Sequence, residues 1–256
     1  MKLAVAKLHK HFGSLEALRN IEMQVQAGEF ISIVGPSGCG KTTFLRIVAG
    51  LEPASAGEVA IDGRAVHGPG TDRGFVFQAD NLLPWRTVLN NATIGPEITG
   101  RVGAAERTRA LDLLKLVGLG GFENYFPRQL SGGMRQRVNL ARALAIDPEI
   151  LLMDEPFSAL DAQSREIMQT ELLRIWEQGR KTVLFVTHQI DEAVFLSDHV
   201  YVFARRPGRV QERVPIALPR PRTLGIKRTP EFVNYVDHIW RLIENDVRES
   251  VLHEHA

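Results

Sequence analysis

Short apolar runs bounded by turn residues alternate along most of this chain with segments of helical periodicity. The apolar runs predict strands, because each is four to seven residues long and flanked by Gly, Pro or polar residues. They cover residues 2–8, 21–25, 29–34, 58–61, 74–78, 150–153, 182–186 and 199–204. The helical pattern covers residues 42–49, 104–117, 131–146, 162–178 and 190–196. This β/α alternation predicts an α/β domain.

One part of the chain, about residues 83–147, departs from the alternation and is mainly helical. Its helix at residues 104–117 places four apolar residues on one stripe, Ala110, Leu113, Leu114 and Val117. A second helix, from Ser131, stops at Asp147-Pro148. We therefore predict a core made of residues 1–82 and 148–210, a helical subdomain at 83–147, and a C-terminal extension at 211–256.

The C-terminal part of the sequence is rich in Arg and Pro and then becomes helical. We interpret its basic cluster as a solvated, Pro-broken surface segment, with lipid or nucleic-acid binding as the alternative. The cluster consists of Arg205, Arg206, Arg209, Arg213, Arg220, Arg222, Lys227 and Arg228. Thr229-Pro230 predicts a helix start. The stripe that follows predicts packing against the core: Phe232, Val236, Ile239, Ile243 and Val247.

Composition limits the function classes without choosing one. The chain has 256 residues, 44% hydrophobic, with a formal net charge of +1, so nothing global indicates a nucleic-acid or lipid partner. The single cysteine, Cys39, excludes an internal disulfide and fits a reducing compartment. No apolar run approaches the roughly 20 residues that span a bilayer. We expect a cytoplasmic protein that reaches a membrane only through a partner.

A glycine-rich loop follows the strand at residues 29–34 and opens a helix, which is the context of a phosphate-binding loop. Its sequence is Gly35, Pro36, Ser37, Gly38, Cys39, Gly40, Lys41, Thr42 and Thr43. Glycines let backbone N–H groups converge on phosphates, and the helix N-terminus adds positive potential. Lys41 would neutralise phosphate charge and the Thr42 hydroxyl would ligate Mg²⁺. We interpret Cys39 as a small residue tolerated in this loop, without a redox role.

Two carboxylates, Asp154 and Glu155, follow the apolar run at residues 150–153. This position is the carboxyl edge of a sheet, where ligands bind in open α/β folds. Asp154 would hold Mg²⁺, directly or through water. Glu155 would act as general base on the attacking water. Because neighbouring side chains diverge along a strand, one carboxylate can serve the metal and the other the nucleophile.

Three further polar positions have both an ordinary and a functional interpretation. Ser131 before Gly132-Gly133 is a typical helix N-cap, although the N–H groups of the glycines also form an anion site. Gln78 ends a predicted strand and could be simply exposed. His188 follows another strand and could be structural.

The segment Leu130-Ser131-Gly132-Gly133-Met134-Arg135-Gln136-Arg137, together with the phosphate loop and the Asp154-Glu155 pair, resembles the signature of ABC ATPases. The resemblance runs from about residue 3 to about residue 210. It implies an ABC-type P-loop ATPase: a RecA-like core, an N-terminal antiparallel β subdomain and an inserted α-helical subdomain. ATP and Mg²⁺ are the implied cofactors.

The resemblance also implies roles for individual residues. Ser131, Gly132 and Gly133 would reach the γ-phosphate of ATP held by a second subunit, in a head-to-tail dimer. In this dimer Asp161, in the segment Ser158-Ala159-Leu160-Asp161, would cross the interface. Gln78 would contact Mg²⁺ and the lytic water, and His188 the γ-phosphate. Phe12 would stack on adenine where Tyr is more usual, and Gln189 stands where Asp commonly follows the histidine.

A finer resemblance points to the nitrate/sulfonate/taurine importer ATPases. It rests on four segments: Gly68 to Gly74, Gln78 with Leu82 to Val88, Glu155 to Phe157, and Ala204 to Arg209. It implies an ATPase subunit, expected as a homodimer, that energises uptake of a small anion through a separate permease. An extracytoplasmic binding protein would be an indirect partner. Trp85 would line the permease-facing groove or, alternatively, pack within the helical subdomain.

Two other functions compete with the importer. One is a soluble ABC ATPase acting on nucleic acid or ribosomes. Such proteins usually carry tandem cassettes or a long coiled-coil insert, whereas this chain has one cassette and a short insert. The other is a phosphate-loop kinase or GTPase, disfavoured by the Leu-Ser-Gly-Gly segment and by the lack of an Asn-Lys-x-Asp segment.

Overall fold

The computed structural model describes residues 1–101, 103–205 and 207–254. Two of the residues singled out above lie outside this description: Arg206, which belongs to the basic cluster and to the Ala204–Arg209 segment, and the side chain of Val247. The chain divides into two compact units, Met1–Gly70 with Arg180–Ala256 (the terminal unit) and Thr71–Gly179 (the middle unit). The sequence-based boundaries at residues 83, 148 and 211 stay predictions.

The terminal unit contains an antiparallel sheet formed mainly by the N-terminal segment. Its strands are β1 (Leu3–Phe12), β2 (Leu15–Val25), β4 (Ala56–Ile61) and β5 (Arg64–Ala65), in the order β2-β1-β4-β5. β1 and β2 are longer than the runs at 2–8 and 21–25 predict. For β1 the difference arises because its second half carries His9, Lys10 and His11, whose polar side chains interrupt the apolar pattern.

A second sheet of the terminal unit carries the phosphate loop. Within this unit its order is β10 (Arg209–Pro215), β9 (His199–Ala204), β3 (Phe30–Val34) and β8 (Thr182–Val186). β3 and β8 are buried at every residue and pair in parallel with each other, as continuous apolar runs predict. Helix α1 (Lys41–Val48) follows β3, and α7 (Ile190–Leu196) follows β8.

Strand β10 was not predicted from the sequence. It pairs antiparallel with β9, but Val214 is the single fully buried residue in it. An edge strand needs apolar residues on one face at most. Its charged residues therefore made it resemble the loop that the Arg/Pro-rich composition suggested.

Two arginines of the basic cluster contradict the interpretation of that cluster as a solvated segment. Arg222 is 5% exposed, and Arg220 pairs with Asp198 at 2.8 Å. The Arg222 guanidinium donates hydrogen bonds to five backbone carbonyls, those of Val194, Phe195, Ser197, Ile216 and Leu218. Three of these acceptors lie in the last turn of α7 or just after it. Arg222 thus satisfies carbonyls that a helix C-terminus leaves without partners.

Replacing Arg222 with Ala should lower the free energy of unfolding by about 3 kcal/mol, because several buried carbonyls lose their donor at once. Lys should recover only part of the loss, since one ammonium cannot match the planar fork of a guanidinium. The matched control is the exposed Arg228, whose replacement by Ala should have little effect. Urea denaturation measures all three variants. Equal stability of Arg222→Ala and wild type would remove this role.

The C-terminal helix α8 (Pro230–Glu254) starts where Thr229-Pro230 predicts. The Thr229 hydroxyl accepts a hydrogen bond from the backbone N–H of Phe232, which caps the helix. Phe232, Ile239 and Ile243 of the predicted stripe are buried and Val236 is partly buried, and α8 contacts α7 and β9. The described part of the stripe therefore packs as core.

The middle unit has one pair of parallel strands and most of the helices. The strands are β6 (Arg73–Val76) and β7 (Ile150–Asp154). The helices are α2 (Val88–Ala92), α3 (Ile94–Ile98), α4 (Ala104–Leu116), α5 (Gly132–Ala145) and α6 (Ala162–Gly179). Helix α4 buries Ala110 and Leu114 and contacts α5. β6 ends at Val76, so Gln78 lies two residues beyond its strand rather than in it.

No helix of the described ranges combines the length and the apolar character needed to cross a membrane.

Candidate functional site

The phosphate loop adopts a backbone that requires its glycines. Gly38 and Gly40 have φ values of 72° and 97°, in the left-handed region that favours glycine. A Cβ at Gly40 would also lie 2.6 Å from Leu18 Cδ2. Gly40 is the N-cap of α1, so the N–H groups of the first helical turn, at Lys41, Thr42 and Thr43, border the loop. This arrangement suits a bound phosphate group.

Lys41 is buried under the loop that precedes it. Its ammonium donates to the carbonyl oxygens of Gly35, at 2.7 Å, and Pro36, at 3.0 Å, and it is 6% exposed. The Cys39 Sγ lies 3.9 Å from the same Nζ. Burial raises the pKa of the Cys39 thiol, which favours the unreactive protonated form. The structure thus supports the interpretation of Cys39 as a small packing residue.

Two other predicted residues of the terminal unit are on its surface. Phe12, at the end of β1, is 46% exposed, and the Lys10 ammonium lies 4.6 Å from its ring centroid. Lys10 is itself held by Glu52 at 2.6 Å. His188 is exposed in the short connection between β8 and α7. The neighbouring Gln189 is the N-cap of α7, without a side-chain capping bond.

The middle unit brings Gln78 and Glu155 together. Gln78 Nε2 donates to Glu155 Oε2 at 3.2 Å. Asp154 is the last residue of β7 and is 4% exposed, whereas Glu155 has a left-handed backbone with φ of 45°. The sequence predicts that the Asp154 and Glu155 side chains diverge because neighbouring side chains alternate along a strand. That reason is wrong, because β7 ends at Asp154 and Glu155 lies after it. A non-glycine residue held at positive φ stores strain of order 1 kcal/mol, which is typical of functional positions.

Ser131 acts in this structure as the N-cap of α5. Its Oγ accepts a hydrogen bond from the backbone N–H of Met134 at 3.3 Å. A Cβ at Gly133 would lie 3.2 Å from Leu160 Cδ2, so the signature segment packs beside the Ser158–Asp161 loop.

Asp161 Oδ1 accepts a hydrogen bond from the backbone N–H of Ser164, and the hydrogen bonds with Ser164 lower the pKa of Asp161. Asp161 is thus ionised at neutral pH.

A polar ladder between α5 and the segment after β6 was missed from the sequence. Four α5 side chains donate hydrogen bonds to this segment. Two of them donate to the Phe77 carbonyl, one donates to the Asp80 carboxylate, and one donates to the backbone carbonyls of Asp80 and Asn81. The four are Arg135, Gln136, Asn139 and Arg142. Their spacing of i, i+1, i+4 and i+7 places them on one helical face, and this polar stripe was the available signal. The ladder ties the signature helix to the segment that carries Gln78.

The predicted site residues are divided between the two units. The phosphate loop, Phe12 and His188 belong to the terminal unit. Gln78, Ser131, Gly132, Gly133, Asp154, Glu155 and Asp161 belong to the middle unit.

Three relatives that match almost the whole chain are described as ABC transporter or import ATP-binding proteins. An ABC transporter ATP-binding protein of Methanocaldococcus jannaschii, MJ0412, is 52% identical over 98% of this chain and 94% of its own length. The nitrate import ATP-binding protein NrtD of Synechocystis is 45% identical over 98% of both chains. The taurine import ATP-binding protein TauB of Yersinia pestis is 45% identical over 90% of this chain and 92% of its own.

Solved structures give the same result for the fold. The dimeric ATP-binding cassette MJ0796, described as a bacterial ABC transporter cassette, has a TM-score of 0.75 at 36% identity. It matches 85% of this chain and 100% of its own. The same cassette in a post-hydrolysis state bound to ADP and Pi has a TM-score of 0.74. The predicted ABC-type α/β fold is confirmed.

The family described as ABC transporter matches residues 18–158, which include the phosphate loop, the signature segment and the two carboxylates. With this match, the relatives and the fold in agreement, the chain belongs to the ABC transporter family and is one of its ATP-binding, ATP-hydrolysing proteins.

Proposed function

We propose that this chain is the ATP-hydrolysing subunit of an importer and energises uptake of a small anion of the nitrate or taurine/alkanesulfonate type through a separate permease. The observation that carries the proposal is the similarity to NrtD and TauB at 45% identity over at least 90% of each chain. On this proposal the protein works peripherally, at the cytoplasmic face of the cell membrane.

We assign the ATP site from the residues described above. The phosphate loop binds the phosphates, with Lys41 neutralising their charge, and Phe12 stacks on adenine. Thr42, Gln78 and Asp154 offer a hydroxyl, an amide and a carboxylate oxygen, which is the donor chemistry that Mg²⁺ prefers. The metal would neutralise charge on the phosphate oxygens.

Hydrolysis needs a base beside the attacking water, and Glu155 fits this role. The Gln78 amide donates to one Glu155 oxygen, so the carboxylate is oriented and its second oxygen can accept the proton of the water. His188 donates a hydrogen bond toward the γ-phosphate. In a head-to-tail dimer, Ser131, Gly132, Gly133 and Asp161 complete the site of the second copy. The dimeric state of MJ0796 supports this assembly.

The segment around Trp85 fits a permease contact. Asn91 is fully buried, and its side chain bonds the backbone of Leu83, Arg86 and Thr87. These bonds hold the loop in one shape, and Trp85 projects from it with 71% of its surface exposed. Trp is enriched among the residues that dominate binding at protein interfaces, so we assign Trp85 to the permease contact.

Replacing Trp85 with Ala should therefore abolish most uptake while the isolated protein still hydrolyses ATP at a near-normal rate. The physical reason is that the contact transmitting the dimer's motion is lost, and the site chemistry is untouched. The control is Ile167→Ala on α6, another exposed apolar side chain, at 54% exposure. Uptake in cells and ATPase activity in solution are measured for each variant. Normal uptake by Trp85→Ala would contradict the assignment.

Uptake by a strain lacking this chain tests the proposal itself. Labelled nitrate, taurine and longer alkanesulfonates are offered, and the strain is complemented with wild type or with Glu155→Gln. The proposal expects wild type, but not the variant, to restore uptake of at least one of these anions. Restoration of none, with the chain expressed and active as an ATPase, would contradict the proposed substrate class.

A further inference from the structure

Gly208, which lies outside the phosphate loop in the sequence, packs directly against that loop. Gly208 lies in the turn between β9 and β10, and a Cβ there would be 2.0 Å from the Cys39 carbonyl oxygen. It would also lie 3.2 Å from the Ala17 carbonyl oxygen. Backbone atoms cannot move aside as a flexible side chain can. Only glycine therefore lets this turn approach the phosphate loop so closely.

The same turn is hydrogen-bonded to β2, which also contacts the phosphate loop. Gly208 N donates to the Ala17 carbonyl at 3.0 Å, and Arg19 N donates to the Gly208 carbonyl at 2.8 Å. Gly40, the last glycine of the phosphate loop, lies against the neighbouring residue, since its Cβ would be 2.6 Å from Leu18 Cδ2. Residues 17–19 of β2 are thus in contact with both the turn and the loop.

Helix α8 holds the other side of the turn. The Asp246 Oδ2 accepts a hydrogen bond from the backbone N–H of Arg205 at 2.7 Å. α8 is fixed in turn by its buried residues Phe232, Ile239 and Ile243. Arg205, at the start of the turn, is thus bonded to α8, and Gly208, at its end, lies against the carbonyl of Cys39. All of these residues belong to the terminal unit.

We propose that Gly208 and Asp246 are positioning residues for ATP: through the β9–β10 turn, the C-terminal helix holds the phosphate loop in its phosphate-binding shape. Neither residue touches the nucleotide. The loop binds phosphate with converging backbone N–H groups, so a shift of the Cys39 peptide misdirects donors on both sides of it. The inference rests on the proposed ATP site and adds the C-terminal extension to it.

Asp246→Ala tests the contact from α8, with ATP affinity, kcat, KM and melting temperature measured on the full-length protein. We expect ATP to bind about 3- to 10-fold more weakly, the effect of one charge-assisted hydrogen bond, with kcat within about twofold. Asp246→Asn keeps an acceptor oxygen and should restore affinity. Asp237→Ala is the control on the same helix, where the exposed Asp237 pairs with Arg241 at the surface.

Gly208→Ala tests the contact with the loop itself and should weaken ATP binding by at least about 10-fold, because the Cβ must displace backbone. Gly68→Ala is the control, since its Cβ would meet nothing within 4 Å. Unchanged ATP affinity in both Asp246→Ala and Gly208→Ala, or a lower melting temperature without an affinity change, would overturn the inference. Failure of the wild type to bind ATP would instead contradict the proposed function.

Discussion

Glu155→Gln should lower the rate of ATP hydrolysis by about 100-fold or more and leave ATP binding intact. General-base catalysis contributes about 10²–10⁴-fold, and an amide cannot take the proton of the attacking water. The substitution keeps the size of the side chain and an oxygen that can still accept from Gln78 Nε2. The local geometry should therefore persist while the chemistry is lost.

Steady-state phosphate release and equilibrium ATP binding, measured on the same preparation, separate the two effects. Glu166→Gln on α6 is the control, an exposed glutamate on the helix that follows the site, and it should hydrolyse ATP normally. Glu155→Gln should also accumulate as an ATP-bound dimer, because the hydrolysis that would let the dimer dissociate no longer occurs. Near-normal turnover by Glu155→Gln would eliminate this residue as the base.

Lys41→Ala should weaken ATP binding by roughly 10- to 100-fold, which is the effect of losing hydrogen bonds between an ammonium and phosphate oxygens. In the present structure this ammonium donates to the carbonyls of Gly35 and Pro36, which belong to the phosphate loop itself. It is therefore held against the loop that would bind the phosphates. Hydrolysis should be lost with the binding.

Titration with a fluorescent ATP analogue measures this loss directly. The control is Arg46→Ala, which removes an exposed cation from the same helix and should leave affinity within about twofold. The melting temperature of each variant shows whether the fold is retained. Unchanged affinity in Lys41→Ala would exclude Lys41 from phosphate binding.

The central strands were predictable because burial on both faces produces continuous apolar runs. The bounds of β8, α7 and β9 agree with the predictions at every residue. β1 was cut short at residue 8, since Lys10 is a charged residue that the structure buries to 6% exposure. An ion pair with Glu52, 42 positions away in the sequence, explains that burial, and no local pattern contains it.

The residues of the site could be identified from sequence motifs, but the contacts that support them could not be predicted. Gln78 and Glu155 were singled out separately, and their hydrogen bond spans 77 positions. The left-handed backbone of Glu155 has no sequence signal, because glutamate does not favour it. Arg222 was assigned to solvent for a similar reason: its charge was counted, whereas its five carbonyl partners depend on the tertiary fold.

The most direct test of the central claim is to tag this protein, solubilise membranes gently and identify what co-purifies with it. An importer ATPase predicts recovery of a permease with several membrane spans, and less of it with Trp85→Ala than with Ile167→Ala. Recovery of only ribosomal or nucleic-acid partners, without any membrane protein, would contradict the transport assignment and leave the ATPase chemistry in place.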